Sequence, residues 1–492
     1  PGLAYVYYDI DIDSNDDLLS IDLATTTTLS VDYGLSIHNN ALLQTVNVPG
    51  LEYIGDELWI NDNPALISVD IATAADLSVD YGIYILHNAV PHPWTLNIPG
   101  LINLPAYDLN IADNDGLESV TVVTSGPTTI ASSIRVHGNP HLKSFTAPSL
   151  THIGADYHLH DNPLLEVIDT PTLTDIGGWV QLFNNGTAGS FSPNLPTLAT
   201  IGGGMDVYEN PGLETLRLDA LTSVGEFVNI YNNPFLSSLS GDALVAVDEF
   251  FRVSHNPVLP SFSFSSLEEV RNHGSVDNND VLTTFNLGAL ASLAPPPPPP
   301  PAVSGPGLAP LPSTATSLYV FENPALTGFD LHSLAEVGVF NLISNPALTG
   351  LPSMPSLGPG TTVAISDNAL LTDVAGLAGL PELWKVDLNH NPAFVDASGM
   401  SSLETLTHLL VVGNDILSSF VMPGLTHVWT SIDVSSNPTL ATAAFPALFL
   451  VGEGTGPNPT AGLLKFHDNP LLASLDFSTL TQLDGPLDLL DN

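Results

Sequence analysis

Apolar residues recur along this chain in a fixed relation to asparagine. Leu58-Trp-Ile-Asn-Asp-Asn-Pro-Ala-Leu66, Val228-Asn-Ile-Tyr-Asn-Asn-Pro-Phe-Leu236 and Leu318-Tyr-Val-Phe-Glu-Asn-Pro-Ala-Leu326 align on the asparagine that precedes proline. Anchored there, the series runs Asn15, Asn40, Asn63, Asn88, Asn114, Asn139, Asn162, Asn185, Asn210, Asn233, Asn256 and Asn279. It resumes at Asn323, Asn345, Asn368, Asn391, Asn414, Asn437, Asn469 and Asn492. Most steps are 23 residues. The residue three before the anchor is apolar in all twenty units, and the residue five before is apolar in all but one, Gly274. Such period-two alternation predicts a strand with one buried face. Leu fills 16 of the 19 positions three after an anchor. A second apolar cluster follows, as at Val46, Val48 and Leu51, and then a Leu-x-x-Ile-Gly element, as in Leu150 to Gly154. Each unit reads as strand, Asn-Pro corner, short strand, turn, short strand and Gly turn. No segment shows a helical period with caps, so helix should be nearly absent.

A unit of this size cannot bury its own apolar side, so neighbours must stack. The pattern therefore predicts an all-β fold, a right-handed β-solenoid (a leucine-rich-repeat-like β-helix) of about twenty 23-residue coils. Its hand follows from the preference of parallel crossovers. Coils about 4.8 Å apart would make a rod on the order of 95 Å. At the corners the anchor amides are expected to bond otherwise unpaired backbone groups. Stacked once per coil, Asn63, Asn162, Asn210, Asn233, Asn323, Asn345, Asn368, Asn391 and their equivalents would form an internal ladder. The plainer alternative is a set of exposed turn asparagines.

Composition narrows the partners. The 492 residues hold 7 Lys+Arg against 52 Asp+Glu, a net charge of -45, and no cysteine. A phosphate-binding surface needs clustered cations, so nucleic acid is excluded as a partner. No apolar run is long enough for membrane insertion. Disulfides, thiolate metal sites and cysteine nucleophiles are all ruled out. With 44% hydrophobic residues the chain still has the means for a large core.

The unit Leu-x-x-Ile-Gly-x-x-Leu-x-Ile-x-x-Asn-Pro-x-Leu, seen in Leu51 to Gly55 through Asn63 to Leu66 and again in Leu173 to Gly177, resembles the leucine-rich β-helical repeat of receptor L domains. It is similar also to the repeats of fungal GPI-anchored cell-wall organisation proteins. The resemblance implies an extracellular, non-enzymatic protein used for recognition or wall architecture. The chain departs from that pattern in lacking the flanking cysteines, in its larger number of repeats and in showing no anchor signal.

The step from Asn279 to Asn323 is 44 residues and contains an unbroken proline run, Pro295, Pro296, Pro297, Pro298, Pro299, Pro300 and Pro301. Polyproline cannot join a sheet ladder. The expected organisation is a solenoid block over 1–293, a Pro-rich insert or linker over 294–315 and a second block over 316–492. The prolines are a spacer, a docking strip or a hydroxyproline glycosylation site. A shorter insert follows Gly452, and Asn185-Gly-Thr187 is a permitted N-glycosylation sequon.

Chemistry is sparse. Asp62, Asp113, Asp161 and Glu209 each precede an anchor, and a row of like charges one coil apart would invite calcium, the one cofactor considered. The alternative is a solvated acidic edge. His137 and His160 should stack on successive coils. Trp59, Tyr84, Phe183, Tyr208, Tyr231, Tyr319 and Phe321 should point outward by alternation, as an interaction face for glycans or subunits or as cross-strand pairs. The leading expectation is a glycosylated structural protein, extracellular or at the cell surface, whose partners are copies of itself or other wall or fibril subunits. The alternative is a recognition ectodomain binding glycan or protein, and the remote one a polysaccharide-cleaving β-helix enzyme. Pro1-Gly-Leu3 matches Pro49-Gly-Leu51 in mid-unit and Asn492 is itself an anchor. Both ends are therefore expected to be covered, by further sequence or by an end-to-end neighbour.

Overall fold

A computed structural model describes residues 2–23, 26–73, 75–88, 93–122, 126–187, 191–293, 316–452 and 462–492. Pro295 to Pro301, where glycosylation is expected, lie outside the described residues. The chain is an all-β parallel solenoid of about 19 turns. It forms two compact units, Pro1–Leu244 and Val245–Asn492.

In the first unit each coil contributes three short strands. Around Asn63 these are Leu51–Ile54, Leu58–Asn61 and Ser68–Ile71. Each pairs in parallel with its counterpart one coil on, Leu77–Val79, Ile83–Leu86 and Trp94–Ile98. Alternation then places side chains as the pattern requires: Leu58 and Ile60 are buried, Trp59 and Asn61 half-buried on the outer side. The second unit repeats the main strand, which lengthens to Glu382–Asn389, Thr405–Val412 and His427–Ser435. Among the described residues the helical elements are two single 3-10 turns, Ala375–Leu377 and Ser398–Met400.

The proline insert does not divide the solenoid. His273–Asp277 pairs with Ser317–Phe321 over its whole length, and the backbone N–H of Asn279 donates to Oδ1 of Asn323 at 3.2 Å. The described residues on either side of 294–315 thus continue one ladder.

Two kinds of residue let coils approach. A Cβ on Gly55, Gly154 or Gly177 would come 2.1 Å from a carbonyl oxygen of the preceding coil, which explains glycine after Ile. At Gly274, the exception in the apolar column, an added Cβ would lie 2.8 Å from Leu318, so the neighbouring leucine fills that volume.

The residue before each anchor adopts the left-handed region. Asp62, His87, Asp113, Asp161, Asn184 and Glu209 have φ between 51° and 56°, and Gly138 has φ 62°. Asn, Asp, His and Gly tolerate this conformation best. The chain then closes a tight turn, as when Leu66 donates its N–H to the Asn63 carbonyl at 3.5 Å and Leu165 to Asn162 at 3.0 Å. Asn at the first and Pro at the second position suit such a turn.

The anchors are not surface turn residues. Asn63, Asn162, Asn210, Asn233, Asn323, Asn345, Asn368 and Asn391 are fully buried. In most rungs the backbone N–H donates to the next anchor's Oδ1, at 3.2 Å from Asn210 to Asn233 and 3.1 Å from Asn368 to Asn391. The amide Nδ2 reaches carbonyls of its own and the preceding coil, as from Asn210 to Tyr208 at 3.0 Å and to Leu182 at 2.8 Å.

Candidate functional site

Outward side chains of the main strand form columns along the stack. Two residues before the anchor, five rings follow one another: His137, His160, Phe183, Tyr208 and Tyr231. Their centroids are 4.8, 4.3, 4.7 and 4.9 Å apart and their planes lie within 10° of parallel. Four residues before the anchor, Trp59 and Tyr84 stack at 4.3 Å. The parallel ladder brings them together because in-register residues lie about 4.8 Å apart, close to the thickness of a stacked ring pair. Tyr319 and Phe321 belong to neither stack: their strand neighbours are Ser275 and Asn341, and Asp277 and Ile343.

This geometry changes what the rings offer. Faces inside a stack cover one another, so Phe183, Tyr208 and Tyr231 offer ring edges rather than open faces to solvent. Those rings act first as cross-strand pairs. His137 and His158 are held below the usual imidazole range, mainly by burial, and in His137 also by the stacked His160.

The four acids expected as a row are not on adjacent coils. Asp62, Asp113, Asp161 and Glu209 sit on alternate coils, separated by His87, Gly138 and Asn184. Asp113 faces His87 at 3.6 Å, and Asp161 accepts from Asn184 at 2.9 Å. No group of three metal-ligating side chains occurs among the described residues. The left-handed backbone is sufficient reason for Asp and Asn at this phase.

Asn185, expected as a glycan acceptor, is a buried rung. Its Nδ2 donates to the Leu159 carbonyl at 2.7 Å and to Asn210 Oδ1 at 3.3 Å. A glycan on that nitrogen would have to displace these two bonds.

Cations are few, and most are paired with acids. Arg135 bonds Asp108 at 2.9 Å, Lys143 Glu118 at 2.6 Å, Lys385 Asp387 at 2.8 Å and Lys465 Asp433 at 3.0 Å. Among the described residues no helix is long and apolar enough to cross a membrane.

Sequence reasoning missed another column. Two residues after the anchor, between Pro or its equivalent and the buried Leu, the second unit carries Val258, Val281, Ala325, Ala347, Leu370, Ala393 and Ile416 on consecutive coils. Val258, Val281, Leu370 and Ile416 are 40, 42, 53 and 50% exposed. The signal was in the repeat itself, because every one of these positions is apolar without contributing to the core.

No family model matches the chain. No curated protein matches it. Among solved structures, the chain is similar to one in the crystal structure of a TLR13–ssRNA13 complex, at 12% identity, 92% coverage of this chain, 84% of that chain and a TM-score of 0.17. A likeness of that strength carries no argument about function.

Proposed function

We propose that this is an extracellular structural repeat protein, a subunit of a fibril, wall or surface appendage, with no catalytic activity. The observation that carries the reading is the exposed apolar ridge from Val258 to Ile416. A contiguous apolar strip on an otherwise acidic surface marks an interaction site. Its apolar positions recur at every coil, about 4.8 Å apart. A second copy of the same solenoid presents apolar groups at that period, which makes self-packing the fitting partner. The resemblance to receptor L-domain and fungal cell-wall repeats agrees in class with this reading.

Sedimentation of the purified chain and of a Val281→Asp, Ile416→Asp variant tests it. The expected result is concentration-dependent assembly of the unaltered chain and a monomeric variant with the same melting temperature. A monomeric unaltered chain at all concentrations would contradict it.

A second reading, a recognition ectodomain for glycan or protein, is favoured by one feature of the first unit: Trp179 is an exposed aromatic two residues before Gln181, which stands in register with Asp206 and Asn229.

A further inference from the structure

We propose that the outward face of the strands from Trp179 to Tyr231 is a binding trough for a neutral glycan, with Asp206 at its floor; the proposal rests on the recognition reading above.

The floor is a polar row. Gln181, Asp206 and Asn229 stand in register on three consecutive coils. Asn229 Nδ2 donates to Asp206 Oδ1 at 3.0 Å. One bank is the stack of Phe183, Tyr208 and Tyr231, and the other is Trp179 with Phe227, edge to face at 5.7 Å and 71°. The second bank exists because of two glycines. A Cβ on Gly203 would lie 1.9 Å from Trp179 Cδ1, and one on Gly204 2.6 Å from the Phe227 ring. Both rings therefore occupy space that any other residue would fill. Four residues of strand separate the banks, about 13 Å at roughly 3.3 Å per residue. Burial between them raises the Asp206 carboxyl from 3.8 to about 6.

The chemistry selects the ligand. A recessed carboxylate accepts paired hydroxyl donors, and the Gln181 amide beside it both donates and accepts. Aromatic edges and the open Trp179 ring cover the C–H surfaces of a sugar. A phosphate or uronate is disfavoured, since none of these eight residues is a cation and the chain carries a net charge of -45. An organic ammonium would use the carboxylate but leave the amides on either side without a role. The polar row spanning three coils thus matches an uncharged polyhydroxyl chain.

The test is calorimetric titration of the purified chain with neutral cello-, laminari-, manno- and xylo-oligosaccharides. At least one should bind. Asp206→Ala and Trp179→Ala should each weaken it by about tenfold or more. Gly204→Ala, which displaces Phe227 and alters no polar group, should weaken it as well, whereas Trp59→Ala on the separate stack should leave it unchanged. Circular dichroism melting identifies any variant that fails to fold, and Gly204→Ala then decides the outcome. Binding that survives the trough variants would overturn this site while leaving the recognition reading in place. No binding of any of these sugars by the unaltered chain would overturn both.

Discussion

Asn63 and Asn88 share one oxygen. Oδ1 of Asn88 accepts both the backbone N–H of Asn63 at 3.1 Å and its side-chain Nδ2 at 3.3 Å. The same Nδ2 donates to the Ile37 and Asn61 carbonyls, each at 2.9 Å. The left-handed residue Asp62 turns the chain away from its ladder, and the amide closes the bonds thereby lost. Asn63→Ala leaves several buried polar groups unpaired, each costing about 1–3 kcal/mol. The expected result is a loss of about 3 kcal/mol or more, together with faster amide exchange in the coils containing Asn40 and Asn88. Unchanged exchange there would contradict the ladder's role.

Leu236 is fully buried and donates its N–H to the Asn233 carbonyl at 3.2 Å. Leu236→Ala keeps that bond and removes only apolar volume. It should cost about 2–5 kcal/mol, measured as a fall in melting temperature against an exposed control such as Phe235→Ala.

Glu209 has φ 51° and is a poor residue for that conformation. Glu209→Gly should gain roughly 1 kcal/mol and Glu209→Val should lose at least as much. If the acid column is conformational, a calcium chelator leaves the melting temperature unchanged. A rise on adding calcium that disappears in a combined Asp62→Asn, Asp113→Asn, Asp161→Asn variant would restore the metal reading.

Asp206 provides a pH test. Burial raises its carboxyl from 3.8 to about 6, so the folded chain holds this proton more tightly than the unfolded one. Its ionisation therefore lowers stability as pH rises through about 6, and the cost vanishes below 3.8. Asp206→Asn should be more stable at pH 7 by about 1 kcal/mol, after discounting for its partial exposure. The advantage should shrink as pH falls and be absent near pH 4. An advantage independent of pH would point to a cause other than burial of the charge.

The fold was readable because one signal repeated. An apolar residue three before every anchor and Leu three after it determine which side of each strand is buried, as with Ile60 and Leu66. The functional face was less readable. Alternation shows that Phe183 and Tyr208 point outward, but not that their faces would close on each other at 4.7 Å. The sequon at Asn185 and the acid at Asp62 are local features, whereas the ladder bond and the left-handed corner at those positions depend on neighbouring coils and backbone geometry. The trough depends on Gly203 and Gly204 making room for rings from adjacent coils, a relation between residues about 23 positions apart that no local motif encodes.

The most direct measurement for the proposed role is a low-dose electron image of the chain isolated in its native particles. The account predicts ordered assemblies in which copies lie side by side along the ridge from Val258 to Ile416, with those residues buried at the contact. Dispersed single solenoids with that ridge open to solvent would contradict it.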